Sequence, residues 1–477
     1  MSSSKSAKAR SPWLVFGVTS LGTFMATLDS SIVNVALPVI SDGLGVTLSL
    51  AQWVVTAYLL TISSLLPIFG RAGDMYGQRH VYSIGFLIFA LSSAACGYAS
   101  QIYVLIFSRI LQAIGAAMLM ANGPAIVARA FPPGERGRAL GGVGTMVAMG
   151  SMVGPSLGGL LTSALGWEYI FFVNIPIGVV GFFLGYAILP EGEKRRDELF
   201  DWKGAALFAV GIGSLLLLLS HGEDWGWATP RSLGIGLVAF CSLGLFVRVE
   251  NRVEYPMLDL RLFRNWPFLA GNLSGLFSFM AMFSNTILLP FYLSEVRNLT
   301  PGQVGLLITP FPLIMAVVAP VSGYLSDRTS PVVLTTTGLT LTAAGLFFLA
   351  SSGFETPIWH VALAQAVMGF GNGLFQSPNN NSVLSSVDKS KVGVAGGMNA
   401  LVRNVGMVTG TAVAVSVQEI RRRQLLAGVS DPGPAQLAGA FLAGYHTALL
   451  VGAAFAVAAA VISLNRRGHV RAKQKSR

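Results

Sequence analysis

Charge is scarce in this chain. Only 11% of its 477 residues are Asp, Glu, Lys or Arg, against about a quarter in ordinary soluble proteins. So few charges cannot solvate a water-soluble surface of this length. Cysteine is nearly absent as well. Cys96 and Cys241 lie in separate apolar runs, which excludes a disulfide framework and any Cys-based metal site. The five histidines are scattered, with no HExxH and no second ligand nearby, so no metal is expected. No GxxxxGK[ST] stretch is present, and the loops are too short for a nucleotide-binding domain. No cofactor is therefore expected, and energy for any transport must come from a gradient. No span brings together His with Asp or Ser with Lys, which argues against a membrane enzyme. The net charge of +11 does not point to nucleic acid, because the basic residues sit in short loops and at the termini.

Long apolar runs dominate instead. Hydrophobic residues make up 53% of the chain. A helix rising 1.5 Å per residue needs about 20 apolar residues to cross about 30 Å of hydrocarbon. By that measure the sequence predicts fourteen spanning helices. The first begins after the basic tail "KSAKAR"; it lacks a small-residue cleavage site and is expected to remain as a span. Placing the N-terminus inside puts most of the 32 Lys and Arg on the inner side. The expectation is a multi-pass protein of the inner (plasma) membrane with both termini cytoplasmic. Arg421, Arg422 and Arg423 violate this pattern, on what reads as an outer loop.

The runs group into two halves. Residues 1–12 form a cytoplasmic tail and 13–190 a six-helix bundle. Residues 191–266 form a charged linker with two extra spans, 267–465 a second six-helix bundle, and 466–477 a basic tail. The fold class is thus an all-α membrane protein of two six-helix bundles plus two extra helices. A weak internal repeat supports the division. "GRAGDMYGQRH" follows the second span and "GYLSDRTSP" the second span of the later half, each with Gly four residues before Asp. Internal repeats of this kind mark secondary transporters.

A few polar residues interrupt the runs. Asp29, in "TFMATLDSSIVNVALP", is the one carboxylate deep in a span. Burial disfavours the charged form of an acid, so an acid alternating between wet and dry settings can take up and release a proton. Arg109 and Gln112 in "RILQAIGAAM" are three residues apart and share a helix face. Arg403 lies near the middle of the thirteenth span, open to either a structural tie or a functional role. "GSMVGPSLGG" carries Gly150, Gly154, Gly158 and Gly159 around Pro155. Small residues four apart allow close helix approach, and the proline bends its helix. Candidate contacts for an apolar substrate are Phe24, Met25, Asn34, Gln112, Met118, Asn285 and Asn379.

Four of these stretches resemble the major facilitator superfamily, and specifically its fourteen-span drug:proton antiporters (EmrB/QacA-like). "GRAGDMYGQRH" is similar to the signature G-x-L-A-D-R-x-G-R-K, matching at Gly70, Asp74, Gly77 and Arg79 and departing at Ala72, Gly73, Met75 and Gln78. "RILQAIGAAM" resembles R-x-x-Q-G-x-G-A-A with Ala113 replacing the first Gly. "GSMVGPSLGG" matches the antiporter pattern G-x-x-x-G-P-x-x-G-G throughout, and "LDSSIVNVALP" is similar to L-D-x-T-I-V-N-V-A-L-P. The resemblance implies a proton-coupled multidrug exporter of hydrophobic compounds, cationic ones included, that works by alternating access. The alternative is a proton-coupled exporter of an endogenous metabolite, antibiotic or siderophore. Proton coupling falls to Asp29 and Arg109. A conformational latch falls to Gly70, Asp74, Gly77 and Arg79, with Asp327 and Arg328 at the repeat. The partners are then a small-molecule substrate, a proton and the lipid bilayer. A monomer is expected, and nothing in the sequence decides for or against a periplasmic adaptor.

Overall fold

The computed structural model describes residues 11–132, 134–191, 199–388, 391–427 and 432–466. They form long helices, with no strand among the described residues. The helices are α1 (Pro12–Gly43), α2 (Trp53–Tyr76), α3 (Gln78–Gly97), α4 (Ile102–Ala130), α5 (Arg136–Ala164), α6 (Tyr169–Ile188), α7 (Trp202–Glu223), α8 (Pro230–Glu250), α9 (Trp266–Val296) and α10 (Gln303–Ser326). They continue with α11 (Pro331–Leu349), α12 (Ile358–Ser385), α13 (Val392–Leu426) and α14 (Pro434–Leu464). Thirteen are long and apolar enough to cross a membrane. The other, α12, is as long as its neighbours but more polar, and it buries Gln365, Asn372 and Asn379 inside the bundle.

Lipid offers backbone groups no hydrogen-bond partner, so each segment must satisfy its own as a helix. Hydroxyls follow the same logic. Along α1, Thr19, Thr23, Thr27 and Ser30 each donate to the carbonyl four residues back. This lets α1 carry polar side chains without exposing a donor.

The two halves repeat one packing scheme. α1 lies along α5 and α3 along α4, while α2 crosses α4 and α6 covers α3. In the later half α9 lies along α13 and α11 along α12, while α10 crosses α12 and α14 covers α11. The halves meet at two seams, α2 against α13 and α5 against α10. α7 packs over the first seam, touching both α2 and α13, and α8 packs on α7.

α13 corrects one expectation. Arg421, Arg422 and Arg423 are not in a loop; they form the last turns of this 35-residue helix. Glu419 accepts from Arg422 and Arg423, three and four residues on, which continues the helix beyond its apolar part. At 1.5 Å per residue the helix runs about 52 Å, well past the hydrocarbon.

Candidate functional site

The deepest polar cluster centres on Asp29. Five helices contribute to it. From α4, Arg109 Nη1 donates to Asp29 Oδ2 at 2.5 Å, and Gln112 Nε2 donates to Oδ1 at 2.9 Å. From α6, Asn174 Nδ2 donates to Oδ1 at 3.0 Å. From α2, the Val54 carbonyl accepts from Arg109 Nε at 3.2 Å, and the Tyr58 ring lies 3.8 Å from the guanidinium carbon. From α3, Ser93 Oγ accepts from Gln112 Nε2 at 2.7 Å. The side chains of Asp29 and Arg109 are both fully buried. Breaking such a pair by removing one member leaves an uncompensated charge, at a cost of about 3–5 kcal/mol. Neutralising Asp29 with a proton would likewise release Arg109, so the pair can link a proton to the packing of α1, α2, α4 and α6. Both Asp29 oxygens accept hydrogen bonds and the side chain is fully buried, so no substrate cation reaches it in this conformation.

The glycine stretch of α5 sets the position of α1. Side-chain carbons added at Gly150, Gly154 and Gly158 would meet Phe24, Thr27, Leu28, Ser31 and Ile32 of α1. Ser31 Oγ donates to the Gly150 carbonyl at 3.0 Å. Gly159 faces open space and Pro155 is exposed. Glycines four apart thus hold the helix carrying Asp29 at backbone distance.

A second constellation closes the termini end of the bundle, where α1 begins and α14 finishes, and it is built twice. Asp74, at the end of α2, accepts from the Gly393 and Val394 backbone N–H groups that open α13, each at 3.0 Å. Arg129 and Gln78 of its own half also donate to it, at 3.1 and 3.3 Å. Asp327, just after α10, accepts from the Gly137 and Arg138 N–H groups that open α5, at 3.1 and 3.3 Å. Each carboxylate therefore caps a helix N-terminus of the opposite half, where unpaired N–H groups and the helix dipole favour negative charge. The glycines four residues earlier make the approach possible. Gly70 abuts the Gly393 backbone and Gly323 the Gly137 backbone, so a Cβ at either would strike a carbonyl. Burial raises the Asp327 carboxyl above its ordinary value, against the lowering effect of the Gly137 and Arg138 N–H bonds.

The other expected latch residues stay within their own halves. Arg79 binds Glu191 at 3.0 Å and the Tyr186 carbonyl. Arg328 stacks on Tyr324, 4.2 Å from the ring centre. Gly77 turns the chain between α2 and α3 with φ +96°, a conformation few other residues adopt. Arg129, Gly393 and Gly137 were not singled out from sequence. The pairing of Gly with Asp in the repeat pointed to one side of the clasp, but nothing local marked the helix starts it meets.

The expected substrate contacts scatter. Phe24 is half-buried and Asn34 exposed, with its amide on the Ser30 carbonyl. Met25 and Met118 are buried in the packing of the first half. Gln112 belongs to the Asp29 cluster. Asn285 is buried. Asn379 bridges the Gly271 carbonyl and Arg466, at 3.1 and 2.8 Å. A cavity of about 310 Å³ does open elsewhere, at the α2–α13 seam beneath α7. Its walls include Leu59, Leu219, Phe283 and Met407, with Glu223 among the polar groups. The sequence did not single out α7 as part of any site.

The sequence pattern of the Major Facilitator Superfamily matches residues 19–411. The chain is 37% identical over 401 residues to the riboflavin transporter RibZ of Clostridioides difficile, covering 84% of this chain and 87% of that protein. It is 34% identical over 409 residues to the multidrug resistance protein Stp of Mycobacterium tuberculosis, covering 86% and 76% respectively. The fold is similar to the crystal structure of the human organic anion transporter MFSD10, with a TM-score of 0.65 at 16% identity over 95% of this chain and 99% of that one. With its repeated helical halves and matching sequence pattern, the chain belongs to the Major Facilitator Superfamily of membrane transporters.

Proposed function

We propose that this transporter is a proton-coupled exporter of hydrophobic compounds, of the fourteen-span drug:proton type, resident in the plasma membrane with both termini cytoplasmic. The observation carrying the reading is the dry Asp29–Arg109 pair, held by four other groups, the Val54 carbonyl and Tyr58 on α2, Gln112 on α4 and Asn174 on α6. A proton reaching Asp29 frees Arg109, loosens the cluster and permits the halves to rock. The two carboxylate clasps hold the termini end shut until that happens. In this cycle the protein exchanges an inward-moving proton for an outward-moving substrate. The relative named as a multidrug resistance protein supports a drug-type substrate.

The test is uphill dye and drug efflux in proteoliposomes under an imposed pH gradient. The Asp29→Asn variant is expected to lose gradient-driven accumulation while retaining downhill exchange. Full gradient-driven transport by that variant, or transport by the native protein insensitive to a protonophore, overturns the proposal. A second reading, export of an endogenous metabolite, draws on the relative named as a riboflavin transporter. Including riboflavin in the same substrate panel separates the two.

A further inference from the structure

The seam between α2 and α13 is tight at one end only. At the clasp Gly70 abuts the Gly393 backbone, and one turn deeper Gly397 abuts the Leu66 carbonyl. Farther along, Asn404 Nδ2 donates to Ser63 Oγ at 3.2 Å. Beyond that tie the helices part, and the 310 Å³ cavity fills the wedge between them. Leu219, Glu223 and Trp227 cover it from α7 and the turn after it, while Phe283 lines it from α9. Its walls follow α13 from Asn404 to Ser416, about 18 Å at 1.5 Å per residue, so the space is long and narrow. Its volume lies within the range of small-molecule sites.

Two acceptors on these walls lack a donor. Glu223 is the one charged residue among the described lining groups. Its Oε2 accepts from Trp227 Nε1 and Ser416 Oγ, both at 3.2 Å. Its Oε1 receives no hydrogen bond among the described residues. Arg423 stands 3.6 Å from that oxygen with its side chain 71% exposed, and Glu419 holds it at 2.8 Å. The Asn404 carbonyl oxygen, at the narrow end, also has no donor among the described residues, although Asn404 is buried. A carboxylate with an open acceptor on an apolar wall favours a cationic donor. Trp227 and Phe283 add aromatic surface, which attracts cations as well.

We infer that this wedge is a binding site for elongated hydrophobic amines, with the ammonium on Glu223 Oε1 and the apolar body among Leu59, Leu219, Phe283 and Met407. The site shares no residue with the Asp29 cluster, and it gives the extra helix α7 a part in recognition. It goes beyond the exporter reading, because binding here needs neither a proton nor a gradient. The walls come from both halves. An occupant therefore favours the arrangement that has the wedge, in which the clasps are closed, by as much as it prefers that arrangement to the other.

Calorimetric titration of the purified full chain with 4-phenylbutylamine, 4-phenylbutanol and 5-phenylpentanoate tests this directly. The three probes share one apolar body and differ in charge. The native protein is expected to bind the amine at least about tenfold more tightly than the alcohol or the carboxylate. Glu223→Gln keeps an oxygen for Trp227 and Ser416 yet should erase that preference, and Glu223→Asp should keep part of it. Leu219→Trp, which fills the cavity, should weaken the amine and the alcohol alike. Spin labels at Tyr76 and Asp388, exposed at the clasp end, should show no lengthening when the amine is added. Equal or reversed affinities in the native protein, no binding of any probe, an amine preference surviving in Glu223→Gln, or a shift to longer label distances would each overturn the inference. Loss of proton coupling would sink the exporter reading while leaving this result standing.

Discussion

The clasp at Asp74 can be broken by changing one heavy atom. Asp74→Asn preserves size and removes the charge that faces the start of α13. The carboxylate accepts two backbone N–H groups of the opposite half, each at 3.0 Å, and its side chain is fully buried. Hydrogen bonds to a charged group contribute about 1.5–3 kcal/mol each. An asparagine carbonyl can still accept one of the two, while its NH2 faces the other donor. The closed arrangement then loses about 2 kcal/mol relative to the open one, roughly a thirty-fold shift in their ratio. The assay is electron–electron distance measurement between spin labels at Tyr76 and Asp388, both exposed and on opposite halves at the termini end, in a background lacking Cys96 and Cys241. The native protein should give mainly the short distance of the closed clasp. Asp74→Asn should move most of the population to a longer one. An unchanged distribution would refute the view that charge at a helix start holds this end shut.

Two further outcomes follow from the same geometry. At Asp327 burial of the charge outweighs the favourable bonds from the Gly137 and Arg138 N–H groups, and its raised carboxyl means that the clasped state holds a proton more readily than the opened state, where Asp327 returns to its ordinary value. By linkage the closed form is favoured as pH falls through the window between those two values and loses that advantage as pH rises above it. Labels at Glu135 and Thr329 should report this slope, and Asp327→Asn should abolish it; an identical slope in the variant removes Asp327 as its source. At the α1–α5 contact, Gly154→Val would drive a branched side chain into Ser31 and Ile32. Overpacking of this kind costs about 1–3 kcal/mol, so melting in detergent should fall by several degrees, whereas Gly159→Val, facing open space, should leave it nearly unchanged.

Much of the architecture was legible in the chain because lipid imposes so strict a rule. Apolar length sets the spans, and their count follows even for α12, whose asparagines lower its hydropathy without shortening it. The repeat of Gly70 and Asp74 in Gly323 and Asp327 marked equivalent positions, since a close turn and a helix-start acid need particular residues. Asp29, Arg109 and Gln112 stood out because charge in a span is expensive. The extent of α13 was less legible. Its last turns are charged, and only the pairing of Glu419 with Arg422 and Arg423 shows that they remain helical.

By itself, the sequence determined the spans, the doubled plan and the short roster of polar residues that must have a reason to be buried. Tertiary structure decided what each of them meets. Asp29 could have faced a cavity, yet four neighbouring helices close on it. Arg403 could have been tied to a neighbour, yet among the described residues it makes no ion pair or hydrogen bond. Those outcomes depend on which faces of separate helices turn toward one another, and that is set by contacts between residues far apart in the chain, where no local pattern records the partner.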